Sequence, residues 1–377
     1  MPESELRVRK NVRFFRRDTY LNRKVTLNSA FSPIDCAEGH SQWGPSLKAR
    51  DAARKFVVDE VSVYPVDDLF YDRLLKPVIL RRFQMADEAR ELLFFGHGSF
   101  NLAERLIHKL IEPMAMLGVG PQFNEIPSEF LATGGKYQPI LLESPRFDFP
   151  LDAVQETLQR GDFSVMYLDN PNNPLGSLLE LEQVSLIVQT AKEVGTIVIV
   201  DEAYGDFVED RHSAVRLIAD FPNLAVLRSC SKGLGLAAER VGYMFLSREL
   251  AEIYRELDVP FEPSLYAATL GSATLGDDDY RRWLRGQVLS LKSVVMNVLG
   301  KARYLILPTH PSVSIMTIHK EGVEVVEEME GVGIKVEPGS CFSKTHVGWD
   351  NTYCRLRVPK SEDLEEFCRR IENIAGR

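Results

Sequence analysis

Short apolar runs alternate with longer amphipathic stretches between residues 90 and 250. Three of the runs are apolar throughout, as expected for strands buried on both faces of a sheet: Phe163–Leu168, Thr196–Val200 and Leu224–Leu227. Between them, Leu178–Val194 has a helical period, and a weaker helical segment surrounds Ser213–Phe221. Strands repeating about every 30 residues with helices between them indicate βαβ units. The pattern therefore predicts an α/β fold around a mostly parallel sheet with right-handed crossovers.

A second, smaller unit is predicted towards the C-terminus, where a long helical stretch is followed by further apolar strands. The helix and the three strands assigned to this unit are Asp279–Ala302, Ser312–Ile318, Val332–Val336 and Cys354–Val358. We expect residues 46–280 to form the large domain. Residues 1–45 and 281–377 are expected to form the smaller α+β domain.

Composition and charge exclude several classes of protein. The 377 residues are 45% hydrophobic and 26% charged, as in ordinary globular proteins, and no apolar run approaches the ~20 residues that span a bilayer. The formal net charge of −9 argues against a nucleic-acid partner, because phosphate contacts require a basic surface. The five cysteines include no CxxC pair and the histidines form no HExxH motif, so we expect free thiols, no metal site and a cytoplasmic location.

The first 24 residues differ from the rest of the chain in their charge. They hold eight basic and three acidic side chains, a net charge of +5, which leaves −14 for the remainder. No apolar region follows, as a secretory signal would require, and the acidic residues disfavour a transit peptide. We predict a solvated segment, or one that covers a substrate as a lid.

Polar side chains follow the three central strands. Asn173 comes after the first, Asp201 after the second and Lys232 after the third, at intervals of 28 and 31 residues. Each βαβ unit returns the chain to the same edge of the sheet, where ligands bind. We therefore expect these residues to converge in one crevice, with Arg240 close by. Each alone is ordinary turn or capping chemistry, but together they favour a catalytic site.

A competing motif lies in the same stretch. Residues Gly233 to Ala238 match GxGxxA after a strand, a pattern found in dinucleotide-binding folds. No well-placed acidic residue follows, and the motif leaves the convergence of Asn173, Asp201 and Lys232 unexplained. We therefore favour catalysis around Lys232 over nucleotide binding.

Three segments resemble the pyridoxal-phosphate enzymes of aminotransferase class I/II, in particular the histidinol-phosphate aminotransferase group. They are NPNNPLG at 170–176, DEAY at 201–204 and SCSKGLGLAAERVGY at 229–243. Weaker similarities extend the resemblance from about residue 36 to residue 370. It implies a fold-type I enzyme with a large, mostly parallel mixed sheet flanked by helices and a smaller α+β domain. It also implies a homodimer that acts on the α-amino group of an amino acid.

The resemblance implies a role for each matching residue. Lys232 would form a Schiff base with pyridoxal 5′-phosphate and then move protons at the substrate Cα, while Asp201 would keep the ring nitrogen protonated. Asn173 and Tyr204 would hydrogen-bond to the ring O3′, and Phe123 would stack on the ring face. The phosphate would lie at a helix N-terminus. The residues expected around it are Gly98, Ser99, Ser229, Arg240 and, from a second subunit, Tyr64.

The substrate side of the site is less similar to the family. Arg355 would bind the α-carboxylate as a bidentate pair, near Asn173, and Arg357 is expected on the opposite side of the strand. Phe100-Asn101 follows Gly98-Ser99 where the family has acidic residues, and Phe123 replaces a tyrosine. Amino-group transfer to a 2-oxo acid is the leading reaction. A non-catalytic protein that kept the fold is disfavoured, because Lys232, Asp201 and Arg240 are all present.

One departure suggests an alternative reaction. The segment from Cys36 to His40 is similar to an Ala-acid-Gly-His element in a subset of this fold. Members of that subset oxidise, hydroxylate or cyclise arginine-type amino acids. Under this alternative the protein would cyclise, eliminate from or oxidise a guanidino amino acid in a specialised biosynthetic pathway. His40 and the N-terminal segment would then cover the substrate.

Overall fold

The computed structural model describes residues 9–12, 15–17, 25, 27–62, 64 and 70–375. Within these residues the helices are α1 (Leu47–Arg54), α2 (Lys76–Phe83), α3 (Ser99–Lys109), α4 (Glu125–Ala132), α5 (Leu151–Arg160), α6 (Leu181–Glu193), α7 (Arg248–Arg255), α8 (Leu265–Leu275), α9 (Asp278–Lys301), α10 (Val325–Gly331) and α11 (Leu364–Ala375). The strands are β1 (Ile34–Asp35), β2 (Leu93–His97), β3 (Ala115–Gly120), β4 (Lys136–Leu141), β5 (Val165–Asp169), β6 (Ile197–Asp201), β7 (Leu224–Ser229), β8 (Val241–Leu246), β9 (Leu305–Ile306), β10 (Ile315–His319), β11 (Ile334–Lys335), β12 (Glu337–Pro338) and β13 (Tyr353–Arg357).

A seven-stranded mixed sheet forms the centre of the molecule, in the order β2-β8-β7-β6-β5-β3-β4. The strands from β7 to β4 are parallel, whereas β8 runs antiparallel to both of its neighbours. The predicted α/β fold with a mostly parallel sheet is thereby confirmed. Since β5, β6 and β7 are adjacent, the turns that follow them meet at one edge.

The apolar runs of the sequence became strands because both faces of the sheet are covered. In β5, Val165 and Tyr167 pack into the apolar cluster on one face, and Met166 and Leu168 pack into the cluster on the other. A strand buried on both sides needs apolar residues at every position rather than at alternate ones. Among the described residues, no helix has both the length and the apolar character that a membrane crossing requires.

Two sequence predictions were wrong in detail. The segment around Ser213–Phe221 forms only a 3₁₀ turn, Ala214–Leu217. The reason is that its start is held by the carboxylate of Glu202, which accepts hydrogen bonds from Ser213 Oγ and from the Ala214 amide, each 2.6 Å long. The strand predicted at Val332–Val336 is reduced to β11. It pairs in parallel with β1 in a separate two-stranded sheet.

The C-terminal part of the chain contains a four-stranded antiparallel sheet in the order β12-β13-β10-β9. The chain around Cys36 lies beside this sheet, because the Arg357 amide donates a hydrogen bond of 2.7 Å to the Cys36 carbonyl. A separate apolar cluster fills this region and includes residues of α9, β10 and α11. The domain limits at residues 45 and 280 stay a prediction.

Candidate active site

A cavity of about 340 Å³ lies at the carboxyl ends of β5, β6 and β7. Eight of the residues predicted from the sequence line it: Ser99, Phe123, Asn173, Asp201, Tyr204, Ser229, Lys232 and Arg240. A cavity of this size suits a small cofactor. The expected convergence of the three turns is therefore present in the fold.

Asp201 ends β6 and is buried in the floor of the cavity. Its carboxyl group accepts hydrogen bonds from the Ala203 amide at 3.0 Å and from the Tyr167 hydroxyl at 3.3 Å. Burial raises the pKa of Asp201 to about 6, against the opposing effects of these two donors and of Lys232. A buried carboxyl group of this kind is well placed to take a cationic N–H group as its partner.

Asp169 is a second buried carboxyl group in the cavity, and no role for it was predicted from the sequence. It is the register partner of Asp201 on the neighbouring strand. Its Oδ2 accepts from the amides of Phe123 and Asn173 at 3.1 and 3.0 Å, so it fixes two cavity loops at once. Burial raises the pKa of Asp169 to about 7. The signal that could have revealed it is an aspartate at a strand end with a turn behind it, a common side-chain-to-backbone motif.

Buried ion pairs to Arg228 hold the turn after β6 in place. Arg228 donates from Nη1 to Glu202 at 2.6 Å and from Nη2 to Asp206 at 3.1 Å. This fixes the backbone on both sides of Tyr204. The Tyr204 hydroxyl is buried and has no hydrogen-bond partner among the described residues, while the Nζ atom of Lys232 lies 5.7 Å from its ring centre.

Gly39 lies directly against the side chains of Tyr204 and Lys232. A methyl group placed on Gly39 would overlap the Tyr204 hydroxyl and would lie 3.4 Å from Lys232 Nζ. The glycine is therefore required by close approach. His40, the next residue, is exposed and is not among the residues that line the cavities described here. Partial burial and the charge of Arg357 lower the pKa of His40.

The turn before α3 contributes Ser99 to the lining of the cavity. The Gly98 amide donates to the Gly96 carbonyl at 3.0 Å, and the expected place of Gly98 beside a phosphate stays a prediction. Gly98 has a φ of +87°, and a Cβ atom there would lie 2.7 Å from Arg240 Nη2. The available helix N-terminus starts at Ser99, because the first amides of a helix have no partner within it.

A chain of polar side chains links β7 to Arg240. Ser229 Oγ donates to Ser231 Oγ at 2.9 Å, and Arg240 Nη1 donates to the same Ser231 oxygen at 3.3 Å. Arg240 also donates to the carbonyls of Ala237 and His97. Ser231, for which the sequence suggested no role, therefore orients the guanidinium group at the cavity.

A smaller cavity, of about 50 Å³, adjoins the first and contains Arg355. Asn173, Phe123, Glu125 and Lys232 line both cavities. Arg355 Nη1 donates to Asn173 Oδ1 and Nη2 donates to the Ala37 carbonyl at 2.6 Å. The Nε atom of Arg355 is buried without a hydrogen-bond partner in the described part of the chain.

The expectation that Arg357 points to the opposite side of the strand was wrong, because residues two apart on a strand share a face. Both side chains reach the backbone of residues 35–38. What separates them is their bonding: Arg357 donates to the carbonyls of Asp35, Glu38 and Val358 and to the side chain of Gln42. Arg357 is therefore fully used within the protein.

Tyr64 is 75% exposed, and its ring lies 5.7 Å from that of Phe261. It is not among the residues that line either cavity of its own chain. Most of the predicted lid, the first 24 residues, lies outside the described residues, namely 1–8, 13, 14 and 18–24. Arg17 is described, and it lines the larger cavity.

Two other motifs were also located. The GxGxxA segment follows β7 as a series of turns and not as a helix, whereas a dinucleotide fingerprint requires a helix there. In the described residues one group, Glu104, His108 and Glu129, has ligand atoms close enough to share a metal ion. His108 Nε2 is 2.9 Å from Glu129 Oε2, and Glu129 also pairs with Arg17, so these contacts account for the cluster without a metal.

Comparison with known proteins gives a consistent picture. Residues 80–371 match the family model described as aminotransferase class I and II. The chain is 33% identical over 350 residues to histidinol-phosphate aminotransferase 2 of Archaeoglobus fulgidus, covering 90% of this chain and 93% of the relative.

Among solved structures, histidinol-phosphate aminotransferase of Sinorhizobium meliloti in complex with pyridoxal-5′-phosphate has a TM-score of 0.78 at 19% identity, over 91% of each chain. A C-S lyase of Staphylococcus hominis has a TM-score of 0.76 at 14% identity, over 93% of this chain and 90% of that one. At such identities the likeness shows the fold alone, and the fold supports more than one reaction.

Proposed function

Since the chain belongs to the class I and II aminotransferases, we propose that its two adjoining cavities hold pyridoxal phosphate and an amino donor, with Lys232 as the catalytic residue between them. The protein is a pyridoxal-phosphate-dependent enzyme of amino-acid metabolism that transfers an amino group. The observation that carries the assignment of residues is the position of Lys232, which lines both the larger cavity and the smaller one.

The residues in the larger cavity fit this cofactor. Asp201 is a buried carboxyl group suited to a protonated ring nitrogen, and the Tyr204 hydroxyl is a buried group in need of a partner. The cationic end of the cavity, with Arg240, Ser229 and the N-terminus of α3, suits a phosphate. The larger cavity thus offers a carboxyl group for the ring nitrogen and cationic and hydroxyl groups for the phosphate.

Pyridoxal phosphate, when bound, supplies an electron sink that stabilises negative charge at the substrate Cα. Lys232 would hold the cofactor covalently through Nζ. The same Nζ, when it is a free amine, would act as the base that takes the proton from the substrate Cα and as the acid that gives it back. Asp201 would accept a hydrogen bond from the ring nitrogen and keep it protonated.

The remaining cavity residues would orient the cofactor and the donor. Asn173 has its Oδ1 engaged with Arg355, which leaves its Nδ2 to donate to the ring oxygen together with Tyr204 Oη. Phe123 would cover one ring face. Arg355 would bind the α-carboxylate of the donor with its unpartnered Nε and an adjacent Nη group.

The finer parts of the assignment are proposals of the same kind. Tyr64 would complete the phosphate site of a second subunit, which requires a homodimer. A cytoplasmic location stays a prediction based on the unpaired cysteines. The matches favour amino-group transfer over the cyclisation or oxidation of a guanidino amino acid, and the role of His40 stays a prediction.

The test is spectroscopic. Purified protein loaded with pyridoxal phosphate should be yellow, lose visible absorbance when an amino donor is added and recover it with a 2-oxo acid. Lys232→Ala should bind the cofactor without the absorbance of the lysine-linked form. A wild-type protein that stays colourless after reconstitution would refute the assignment.

A further inference from the structure

We propose that the amino donor has a positively charged side chain and that the carboxyl groups of Glu125 and Glu337 recognise it. The inference rests on the aminotransferase function proposed above, and it specifies the class of substrate. Neither residue had a role in substrate recognition among the sequence predictions.

Both glutamates line the smaller cavity together with Lys232 and Arg355. An amino acid that places its amino group at Lys232 and its α-carboxylate at Arg355 therefore has Glu125 and Glu337 among the groups around it. With the two cations assigned to the amino and carboxylate ends, the charged side chains left in this lining are all acidic: Glu38, Glu125 and Glu337.

Each of the two glutamates is more than nine-tenths buried and has an oxygen without a partner. Glu125 is 7% exposed and Glu337 is 8% exposed. The Oε1 atom of each accepts no hydrogen bond within the described residues. A buried carboxylate oxygen that accepts no hydrogen bond costs free energy. A ligand that donates a hydrogen bond to it would therefore stabilise each of the two groups.

The protein's own Arg17, which lines the larger cavity, shows that Glu125 can pair with a guanidinium group. It lies 3.4 Å from Glu125 Oε2 and forms an ion pair with Glu129, and it lies over the ring of Phe100 at 5.8 Å. Arg17 uses Oε2 of Glu125 and leaves Oε1 for a second cation. Glu125 therefore pairs with one cation of the chain through Oε2 and keeps Oε1 as an acceptor for another.

A simpler role for Glu337 would be to hold the guanidinium group of Arg355 in position through their ionic contact, a role called bracing below. The two are register partners on β12 and β13, and Glu337 Oε2 lies 3.8 Å from Arg355 Nη2. Bracing accounts for Oε2 but not for the unpartnered Oε1. It also does not account for Glu125, which begins α4 and lines the same cavity. Recognition of a cation accounts for both.

The charges also disfavour an amino acid whose side chain ends in a phosphate. Arg355 is the cation available beyond Lys232 in the smaller cavity, and an amino acid needs it for the α-carboxylate. A phosphate next to Glu125 and Glu337 would meet like charges at short range. L-Histidinol phosphate, the compound in the relatives' names, has no α-carboxylate, so its phosphate would compete for Arg355 and its imidazole would take the place of the charged side chain. It is therefore the informative competitor.

The first experiment uses the wild-type holoenzyme and matched pairs of donors. L-Arginine is compared with L-citrulline, L-lysine with L-norleucine, and all four with L-histidinol phosphate, by the rate at which each removes the visible absorbance. We expect kcat/KM for the charged member of at least one pair to be about 10- to 100-fold higher than for its neutral isostere, the range for a charge-assisted hydrogen bond. Preference for the neutral donors or for the phosphate overturns the inference. Failure of every donor counts against the proposed function instead.

The second experiment tests the two residues. In Glu337→Gln and Glu125→Gln, kcat/KM for the charged donor should fall about 10-fold further than kcat/KM for its neutral isostere. Equal losses for both donors would identify bracing and contradict recognition. Glu362→Gln is the charge-matched control, since Glu362 is exposed and 3.7 Å from Lys360. Unchanged visible absorbance and melting temperature establish that each variant is folded, and Glu337→Asp provides a milder variant if the amide is not tolerated.

Discussion

Arg355 donates a hydrogen bond to Asn173 over 2.9 Å, although the two residues are 182 positions apart. The bond joins β13 of the C-terminal sheet to the turn that follows β5 of the large sheet. A second bond, to the Ala37 carbonyl, fixes the other end of the guanidinium group. Arg355 is therefore oriented by the protein before a substrate binds, with Nε left over for it.

We expect Arg355→Lys to raise KM for the amino donor about 10- to 100-fold, because a lysine cannot keep both bonds and offer two parallel donors to a carboxylate. Steady-state kinetics and the rate of absorbance loss measure the effect. Arg369→Lys, at an exposed arginine paired with Glu366, is the control. An unchanged KM in Arg355→Lys would assign the α-carboxylate to another group.

Gly39→Ala should destabilise the protein by about 1–3 kcal/mol, the usual effect of overpacking, because the new methyl group overlaps the Tyr204 hydroxyl. Combining it with Tyr204→Phe removes the hydroxyl and should recover most of the loss in thermal unfolding. At Gly286, inside α9 with open space around it, alanine should instead stabilise by about 0.5–1 kcal/mol. Additive effects of the two changes at residues 39 and 204 would show that they do not interact.

The stability of the cofactor-free protein should fall as pH rises from 5 to 8. Burial raises the folded-state pKa of Asp169 to about 7, whereas an unfolded aspartate titrates near pH 4. The folded protein thus keeps a proton that the unfolded chain releases, so the contribution of this group is lost as pH rises through about 7. Asp201, with a pKa of about 6, acts in the same direction.

In Asp169→Asn this part of the pH dependence should disappear, which between pH 5 and pH 8 amounts to about 3 kcal/mol in the free energy of unfolding. Urea denaturation at pH 5 and pH 8 measures the difference. Asp148→Asn, at an exposed aspartate beside Arg146, should keep the wild-type dependence. A slope in Asp169→Asn equal to that of the wild type would show that Asp169 is ionised throughout this range.

Arg240→Ala should weaken binding of pyridoxal phosphate about 10- to 100-fold, because the phosphate loses a charged donor that Ser231 and two carbonyls orient. Titration of the cofactor-free protein, followed by its visible absorbance, gives the dissociation constant. Arg216→Ala, at an exposed arginine, serves as the control. An unchanged affinity in Arg240→Ala would place the phosphate elsewhere.

If Tyr64 serves the site of a second subunit, mixing two inactive variants should restore activity. In a heterodimer of Tyr64→Ala and Lys232→Ala, one site carries both changes and the other carries neither. We expect activity to appear after the two purified variants are denatured and refolded together, and not after either is refolded alone. Continued inactivity of a mixture shown to contain heterodimers would place Tyr64 in its own chain's site or outside it.

The sequence by itself determined the central sheet and the convergence of Asn173, Asp201 and Lys232. The signals were local: continuous apolar runs for strands covered on both faces, and polar residues at the end of each run. Because parallel connections return the chain to one edge, spacing along the sequence becomes proximity in space. The same reasoning placed Ser229 and Arg240 near Lys232.

Only the tertiary structure showed the contacts that the sequence cannot encode locally. The requirement for glycine at 39 arises from Tyr204, 165 positions away along the chain. Glu125 of α4 and Glu337 of β12 come to line one cavity only in the folded chain. Glycine and glutamate are common surface residues, and their sequence neighbours do not reveal what they will face. Burial changes their chemistry, since an unpartnered carboxylate oxygen has consequences only where water is excluded.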